Sequence, residues 1–475
     1  MFHVKQPLDA PLAAAFPGGV YAVGGRVRDE EMEAVLGREL EYKDSDYVVV
    51  GLPLEEVRRR LEAIGEVDLV GASFAVFKVR AQGQMVDVAL ARRERSTGTG
   101  HRDFVVESGP DVTLEEDLGR RDFRMNMLAR ALDDGSLIDP YGGEADIRSR
   151  RIDIVAERCF VEDPLRMLRG AQFAARFGFS LTPRTLAAMH AAAPLVREVS
   201  PERVADELTK LLTRAAMPSV GFELLRETEV LAHIWPELAE GYGVEQNEWH
   251  AYDVWRHNLA TLDAAHNDLT DRLAALLHDV GKPRTKTGPT FYRHEVVGEG
   301  LAREMLVRLR FPGHVVDDVA ALVRHHMYQT GPELTPAAIR RFVRRVGPER
   351  LDRLFALRVA DIVGSGLPKR GDHNERFAQR VRAVLAERPP LGVEDLAIGG
   401  HEMIALLIRC GRAAEGYRGG PEVGALLRYL LEQVLEEPAR NTPAVLLGLA
   451  ERALESAAPF GHSSLHGASA HQSMS

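Results

Sequence analysis

Two aspartates flank one serine in EYKDSDYVVVG (41–51), and an apolar run follows them. Alternate residues of a strand share a face, so Asp44 and Asp46 would stand side by side. Carboxylates that close raise one another's pKa unless a cation lies between them. A solvated strand end accounts for such a pair. So does a Mg2+ site, because hard oxygen donors on a rigid strand suit that ion. Just upstream, YAVGGRVRDE puts Gly24 and Gly25 after a short strand, with Arg28 at what reads as a helix start. Paired glycines let backbone N–H groups approach phosphate, a helix N-terminus adds positive potential, and arginine can hold phosphate bidentately. Gly-Gly is also an ordinary turn signal. A third carboxylate, Asp87 in QMVDVALAR, could join Asp44 and Asp46 across a ladder, or pair with Arg92. Three carboxylates on adjacent strands could hold two Mg2+ for phosphoryl or nucleotidyl transfer.

Two later motifs carry guanidinium groups. In LEEDLGRRDFRMNMLAR, Arg121 and Asn126 could contact a triphosphate and sugar, or Arg121 could pair with Glu115 or Glu116. In FVEDPLRMLRGAQFAARFGF, helical spacing would put Asp163, Arg166 and Arg169 at i, i+3 and i+6. An aspartate accepts from an exocyclic amine, and an arginine donates to a ring nitrogen or carbonyl. Such a pair could select C and A over U and G with no nucleic-acid template; a helical salt bridge is the competing reading.

The elements that must position these groups follow from periodicity. YAVGG, DYVVVG, ASFAVFKVR and QMVDVALAR read as strands, and LEEVRRRLEAIG reads as a helix ending on Gly65. Residues 1–145 therefore form a compact α/β unit. Beyond DPYGGEADI strand signals nearly vanish. DPLRMLRGAQFAARFGF, TPRTLAAMHAAAPLV, SPERVADELTKLLTRA, SVGFELLRETEVLAHI and VGALLRYLLEQVLEE are amphipathic helical segments. The last stretch, 459–475, is small and polar and is expected to be disordered.

At 475 residues the chain is too long for one ordinary core. Its 45% hydrophobic and 27% charged residues describe a soluble globular protein. Two cysteines, Cys159 and Cys410, exclude a disulfide framework and a Cys-rich zinc site and fit a reducing cytoplasm. No signal peptide or membrane-crossing apolar run is seen. The net charge of −10 argues against a mainly electrostatic nucleic-acid binder, unless the positive charge is localised.

In order, GGRVRD, KDSDYVVVG, LEEDLGRRDFRMN, DPYGG, EDPLRMLR…FAARFGF and SPERVADEL resemble the bacterial class II tRNA nucleotidyltransferase family over roughly residues 20–215. That family includes CCA-adding, CC-adding and A-adding enzymes and bacterial poly(A) polymerases. The resemblance implies an α+β protein, with a polymerase-beta-like head followed by all-α parts. It makes Asp44 and Asp46 the metal-binding catalytic carboxylates, and Gly25, Arg28 and Arg121 nucleotide contacts. Glu162, Asp163 and Arg166 match its EDxxR motif, whose Asp and Arg read the incoming base, with Arg169 a further contact. CC-adding members lack a flexible loop between the DxD and RRD motifs. Here ARRERSTGTGHRDFVVESGPDVTLEEDLGRRD is long and glycine-rich, which favours terminal A addition. Full CCA addition ranks first, A-addition second and polyadenylation third.

A second ordered set comprises RHNLATL, LLHDVGKPRT, FYRHEVVGEG, VRHHM and VADIVGSG. It resembles the HD phosphohydrolase superfamily. His257, His278, Asp279 and Asp361 match its metal ligands, and His294, His325 and His326 stand where binuclear members have more. Imidazole with carboxylate suits Mn2+, Ni2+ or Zn2+, which could drive phosphoester hydrolysis. Damaged tRNA 3′ ends, such as 2′,3′-cyclic phosphates, are the expected substrate. GKPRT is not a P-loop, because the required upstream glycine is Leu276. The tail, LAIGGHEMIALLIRC onward, resembles the tRNA-cradling region of the same nucleotidyltransferases.

The expected organisation is a head at 1–145, a base-reading neck at 146–245, an HD domain at 246–385, a tRNA-binding tail at 386–458 and the disordered end. tRNA, CTP and ATP are the expected partners; a membrane is not, and monomer and homodimer stay open. Two rival functions are a phosphohydrolase whose head only binds RNA, and a noncatalytic tRNA chaperone.

Overall fold

The computed structural model describes residues 6–37, 45–70, 75–96, 104–368 and 372–456. Asp44, the Gly-rich centre of the expected loop (97–103) and the 459–475 tail lie outside the described residues. Two compact units divide the chain: 1–323 with 360–367, and 324–359 with 368–475.

The first unit opens on a seven-stranded mixed sheet. Its strands are β1 (Val20–Val23), β2 (Asp46–Val49), β3 (Glu66–Val70), β4 (Val76–Ala81), β5 (Gln84–Leu90), β6 (Ala129–Ala131) and β7 (Leu137–Ile138). The order is β3-β4-β5-β2-β1-β6-β7. Only β2 and β5 run parallel, and their register sets Asp46 opposite Asp87. The sheet face that carries Asp46 also carries Val23, Val48 and Ala129. These pack with Val112, Leu118 and Met127 into one buried cluster. Tyr47 points to the other face and is buried. A separate hairpin, Arg92–Ser96 with Phe104–Ser108, flanks the undescribed loop centre.

The four expected strands form. β3, β6, β7 and the hairpin were not anticipated, because EVDLV, ARA and LI are short or half charged and give little periodicity. The helix expected to end on Gly65 stops at Glu62. Gly65 serves another purpose: a Cβ there would lie 2.3 Å from the Arg80 carbonyl oxygen, so only glycine lets the two backbones meet.

Gly25–Leu36 (α1) begins directly after β1, with Gly24 at φ +74°. Beyond the sheet come Leu165–Phe177 (α2), Pro201–Arg214 (α3), Val254–Ala264 (α4), Leu269–Leu277 (α5) and His294–Arg308 (α6). α2 ends on Gly178 in the left-handed region, a glycine C-cap. The expected helix over 219–234 is broken into Ser219–Glu227 and Val230–Ile234 where Glu229 takes φ 62°. No helix among the described residues is long and apolar enough to cross a membrane.

The second unit is helical. Met403, Leu406, Leu430, Leu431, Val434 and Leu446 share one core, and Tyr328, Phe342, Phe355 and Phe377 interlock. The buried Arg340 donates to the carbonyls of Leu435 and Glu436, satisfying the end of Pro421–Glu436.

Candidate functional site

A cavity of about 700 Å³ lies in the first unit, lined from Gly24, α1, β2, the 120–126 turn, Asp163, α2 and α3. Ten Lys and Arg side chains line it against five Asp and Glu side chains. Positive charge is thus concentrated where the acidic whole-chain total gave no hint of it.

Asp46 opens β2 as an exposed residue and lines the cavity. A Cβ on Gly24 would lie 3.2 Å from Arg121 Nη1 and 3.4 Å from Asp46 Oδ2. The missing side chain at Gly24 therefore leaves room between a carboxylate and a guanidinium, beside the start of α1. Asp87 sits opposite Asp46 in register and shares its face, with Lys78 opposite Asp87 on the other side. Asp87 does not line the cavity itself. Asp117, fully buried, holds Arg121 at 3.2 Å and Arg120 at 3.0 Å. That partner replaces the Glu115 or Glu116 considered from sequence.

Arg28 is buried. It donates to Asn126 Oδ1 at 2.8 Å and Asp29 Oδ1 at 2.7 Å, and its guanidinium stacks over Phe173 and Phe177. Asn126 in turn donates to Asp122 Oδ1, and Arg169 donates to Asp122 Oδ2, both at 2.8 Å. Burial alone would raise the Asp122 pKa. Arg169, Asn126 and the Phe123 N–H outweigh it and hold the pKa below the ordinary carboxylate value. Arg28, Asn126 and Arg169 thus join through Asp122 in one network, and Gly25 and Arg121 line the same cavity.

Glu162, Asp163 and Arg166 lie around the start of α2. Asp163 is not on the helix with Arg166. Pro164 forces the preceding residue out of the α region, and Asp163 takes φ −142°, ψ 97°, just before α2 begins at Leu165. From there it accepts the Leu165 N–H at 3.2 Å and pairs with Arg203 of α3 at 3.0 Å. Arg166 donates to the Arg120 carbonyl at 2.8 Å, and its Nη1 lies 3.6 Å from Glu162. Both Asp163 and Arg166 line the cavity.

The sequence reading named neither Asp122 nor the α3 residues. Arg203, Glu207, Lys210 and Arg214 all line the cavity at i, i+4, i+7 and i+11. That single polar stripe on SPERVADELTKLLTR was available from helical periodicity. Arg176, at the end of α2, also lines it.

A second cluster stands apart in the same unit. His257 comes from α4, His278 and Asp279 follow α5, His294 starts α6, and Asp361 lies late in Leu351–Gly364. His257 Nε2 is 3.0 Å from His278 Nε2, 3.4 Å from Asp279 and 3.2 Å from Asp361. His278 Nε2 is 3.2 Å from Asp279, and His294 Nε2 is 3.3 Å from it. His278 Nδ1 lies 2.8 Å from the Ala275 carbonyl, and His294 Nδ1 2.8 Å from that of Phe291. A carbonyl only accepts, so each Nδ1 donates and each Nε2 lone pair faces the cluster. Metal-binding imidazoles are oriented in this way. Burial would lower the His257 pKa, yet Asp279 and Asp361 raise it to about 9. Burial would raise both carboxylates. His278 and Lys282 hold Asp279 well below the usual range, and His257 and His278 do the same for Asp361.

Gly281 explains how His294 arrives. A Cβ there would lie 2.2 Å from the His294 carbonyl and 2.6 Å from the Gly298 N. The bare backbone lets α6 pass against the turn that carries Asp279. Sequence reasoning missed two neighbours. His250 sets its ring 4.7 Å from that of His257, and Lys282 places Nζ 2.6 Å from Asp279. His325 and His326 belong to the second unit. Burial, then Arg345, Arg324 and Arg350, lower the His325 pKa to about 4. Its neighbours there are cations, unlike the carboxylates around His257.

Both donor sets fit metals. Asp46 and its register neighbour Asp87 offer oxygen only, which suits a hard divalent cation. His257, His278 and Asp361 bring imidazole nitrogens and a carboxylate oxygen within 4.8 Å of one another, as do His250, His257 and Asp279. Mixed nitrogen and oxygen donors suit a transition metal.

Family models match three stretches: the poly A polymerase head domain at 20–153, the probable RNA and SrmB-binding site of polymerase A at 178–241, and the HD domain at 254–364. A multifunctional CCA protein of Nitrosococcus oceani is 39% identical over 389 residues, 78% of this chain and 92% of that relative. One of Aromatoleum aromaticum is 40% identical over 361 residues, 73% and 84%. The structure of the Bacillus stearothermophilus CCA-adding enzyme in complex with CTP covers 95% of this chain and 99% of its own, with a TM-score of 0.68 at 25% identity. A Thermotoga maritima CCA-adding enzyme complexed with tRNA shares the fold at 19% identity and a TM-score of 0.53. The chain belongs to the CCA-adding tRNA nucleotidyltransferase family, among members that join a poly(A) polymerase head and an RNA-binding region to an HD domain.

Proposed function

We propose that this chain adds all of CCA to tRNA 3′ ends from CTP and ATP, with the protein itself choosing the base. One observation carries this reading. One cationic cavity is lined by a carboxylate beside a glycine gap, Asp46 and Gly24, and by Asp163 with Arg166. The tRNA 3′ hydroxyl would attack the α-phosphate; a new P–O bond forms and pyrophosphate leaves. Asp44, Asp46 and Asp87 would hold Mg2+, which would lower the pKa of the attacking hydroxyl and stabilise charge on the phosphate. Gly24 and Gly25 admit the phosphates to the start of α1, where Arg28 and Arg121 already have fixed positions. Arg203 orients Asp163, and the Arg120 carbonyl orients Arg166, so both present a set edge to the base. The Gly-rich 97–103 stretch favours full CCA addition over CC-only addition. tRNA would be held by shape and backbone, in the cytoplasm.

The histidine–aspartate cluster supports a second activity, hydrolysis of phosphate esters at RNA 3′ ends. Mn2+, Ni2+ or Zn2+ bound by His257, His278, Asp279 and Asp361 would supply the Lewis acidity. Lys282, buried beside Asp279, would meet the negative charge of the ester.

Three tRNA transcripts, ending at the discriminator base, at C and at CC, test the first reading. Each is incubated with CTP, ATP and Mg2+ and resolved to one nucleotide. All three should grow to CCA. Growth of only the CC-ending transcript would make this an A-adding enzyme, and a stop at CC would overturn the loop argument.

A further inference from the structure

The loop between Gly243 and Asp253 is built more firmly than a connection needs. Gly243 N–H donates to Asp253 at 2.8 Å. Gln246 accepts from Lys282 Nζ at 2.6 Å, and the Glu245 carbonyl accepts from Lys286 at 2.8 Å. Ala251 N–H donates to the Ser365 carbonyl at 2.8 Å, and a Cβ on Gly366 would lie 2.6 Å from the Tyr252 ring. These ties run to the segments that carry Asp279 and Asp361. The loop nevertheless leaves Trp249 59% exposed, while the other two tryptophans, Trp235 and Trp255, are fully buried. Trp249 is the chain neighbour of His250, whose ring edges onto His257. Tyr292 is 73% exposed and stands two residues before His294. Its neighbour Phe291 lies 5.4 Å from Lys282 Nζ.

A pinned loop that holds an indole largely in water forgoes the gain of burying it. We infer that Trp249 and Tyr292 form a base-stacking rim for the histidine–aspartate cluster, which takes an unpaired nucleobase of an RNA 3′ end or mononucleotide while its phosphate ester reaches the metal. This rests on the phosphohydrolase reading of that cluster. Aromatic faces accept any base, since every base has a π face. The rim would therefore favour nucleotides over other phosphate esters without choosing among the four bases.

The test uses the full-length protein supplied with Ni2+ or Mn2+ and two cyclic phosphodiesters, adenosine 2′,3′-cyclic phosphate and the base-free glycerol 1,2-cyclic phosphate. In both, water adds at phosphorus, one ring P–O bond breaks and the leaving oxygen takes the proton. Trp249→Ala and Tyr292→Ala should each lower kcat/KM for the adenosine ester roughly tenfold and leave the glycerol ester unchanged, with Trp249→Phe retaining most activity. Equal loss on both esters, or no loss on either, overturns the rim while the phosphohydrolase reading stands. A wild-type protein that cleaves neither ester overturns both. A readout without turnover is tryptophan emission in the metal-free protein. Adenosine 2′-monophosphate should quench it saturably where ribose 5-phosphate does not, and absence of that difference also contradicts the rim.

Discussion

The head cavity and the histidine–aspartate cluster both face phosphoesters in the proposed scheme, and they are built in opposite ways. The cavity is roomy and walled by guanidinium groups, with Arg28 held by an amide, Arg166 by a carbonyl and Arg169 by a carboxylate, and its metal donors are oxygens. The cluster is tight and buried, and its centre is imidazole nitrogen. A site that must admit a large, highly charged nucleotide in a defined orientation spends its residues on fixed cations. A site that must only polarise one ester concentrates its residues on one ion.

If the two regions work independently, single changes should separate them. Asp46→Ala should abolish nucleotide addition, by at least about a thousandfold, and leave phosphoester hydrolysis intact. His257→Ala should do the reverse. Both activities are measured on each variant; loss of both from either change breaks the comparison. Gly281→Ala is a milder cut. Its Cβ would meet the His294 backbone at 2.2 Å, so α6 must shift away from Asp279. Hydrolysis should fall by roughly 10- to 100-fold, as for a displaced metal environment, with transfer unchanged.

The smallest expected effect concerns what holds the carboxylate strand. Asp9, ahead of the matched head domain, makes a bidentate pair with Arg26 at 2.7 and 2.8 Å and accepts from the Tyr47 hydroxyl at 2.7 Å. Tyr47 adjoins Asp46, and Arg26 adjoins Gly25. Burial would raise the Asp9 pKa, but Arg26 and Tyr47 hold it below the ordinary carboxylate value of 3.8. Its stabilisation is therefore present above pH 3.8 and is lost as the pH falls through the lower folded-state value. Asp9→Asn should cost about 3 kcal/mol at pH 7, seen in denaturant unfolding, and the gap from wild type should close in strong acid. A gap that persists there would mean the pair is not the source.

Much of this was legible because the chemistry sits in contiguous motifs. KDSDYVVVG, RRD and EDPLR each put their polar groups at a strand start, a turn or a helix start, where local pattern and tertiary role agree. HD ligands on separate helices were legible only through resemblance, since nothing local in RHNLATL or VADIVGSG says that the two meet. The rest was hidden for physical reasons. Asp163 left the helical register because Pro164 follows it. His250 became a neighbour of the cluster only through the pinned loop, Lys282 reaches Asp279 from three residues on, and the close crossing of α6 at Gly281 is a tertiary contact with no local signal. Arg203 and Lys210 were recoverable, because their stripe on α3 is polar on one face of a helix that otherwise packs inward.

The central claim is that amino-acid side chains, and no nucleic-acid template, choose the nucleotide. Single-turnover incorporation of each of the four NTPs into a CC-ending tRNA, by wild type and by Arg166→Ala, tests it most directly. Wild type should take ATP far ahead of GTP and UTP. Arg166→Ala should compress those ratios by more than about tenfold, the scale of one lost bidentate base contact, while apparent affinity for pyrophosphate as an inhibitor stays the same. Unchanged ratios among the four nucleotides in the variant would contradict the claim.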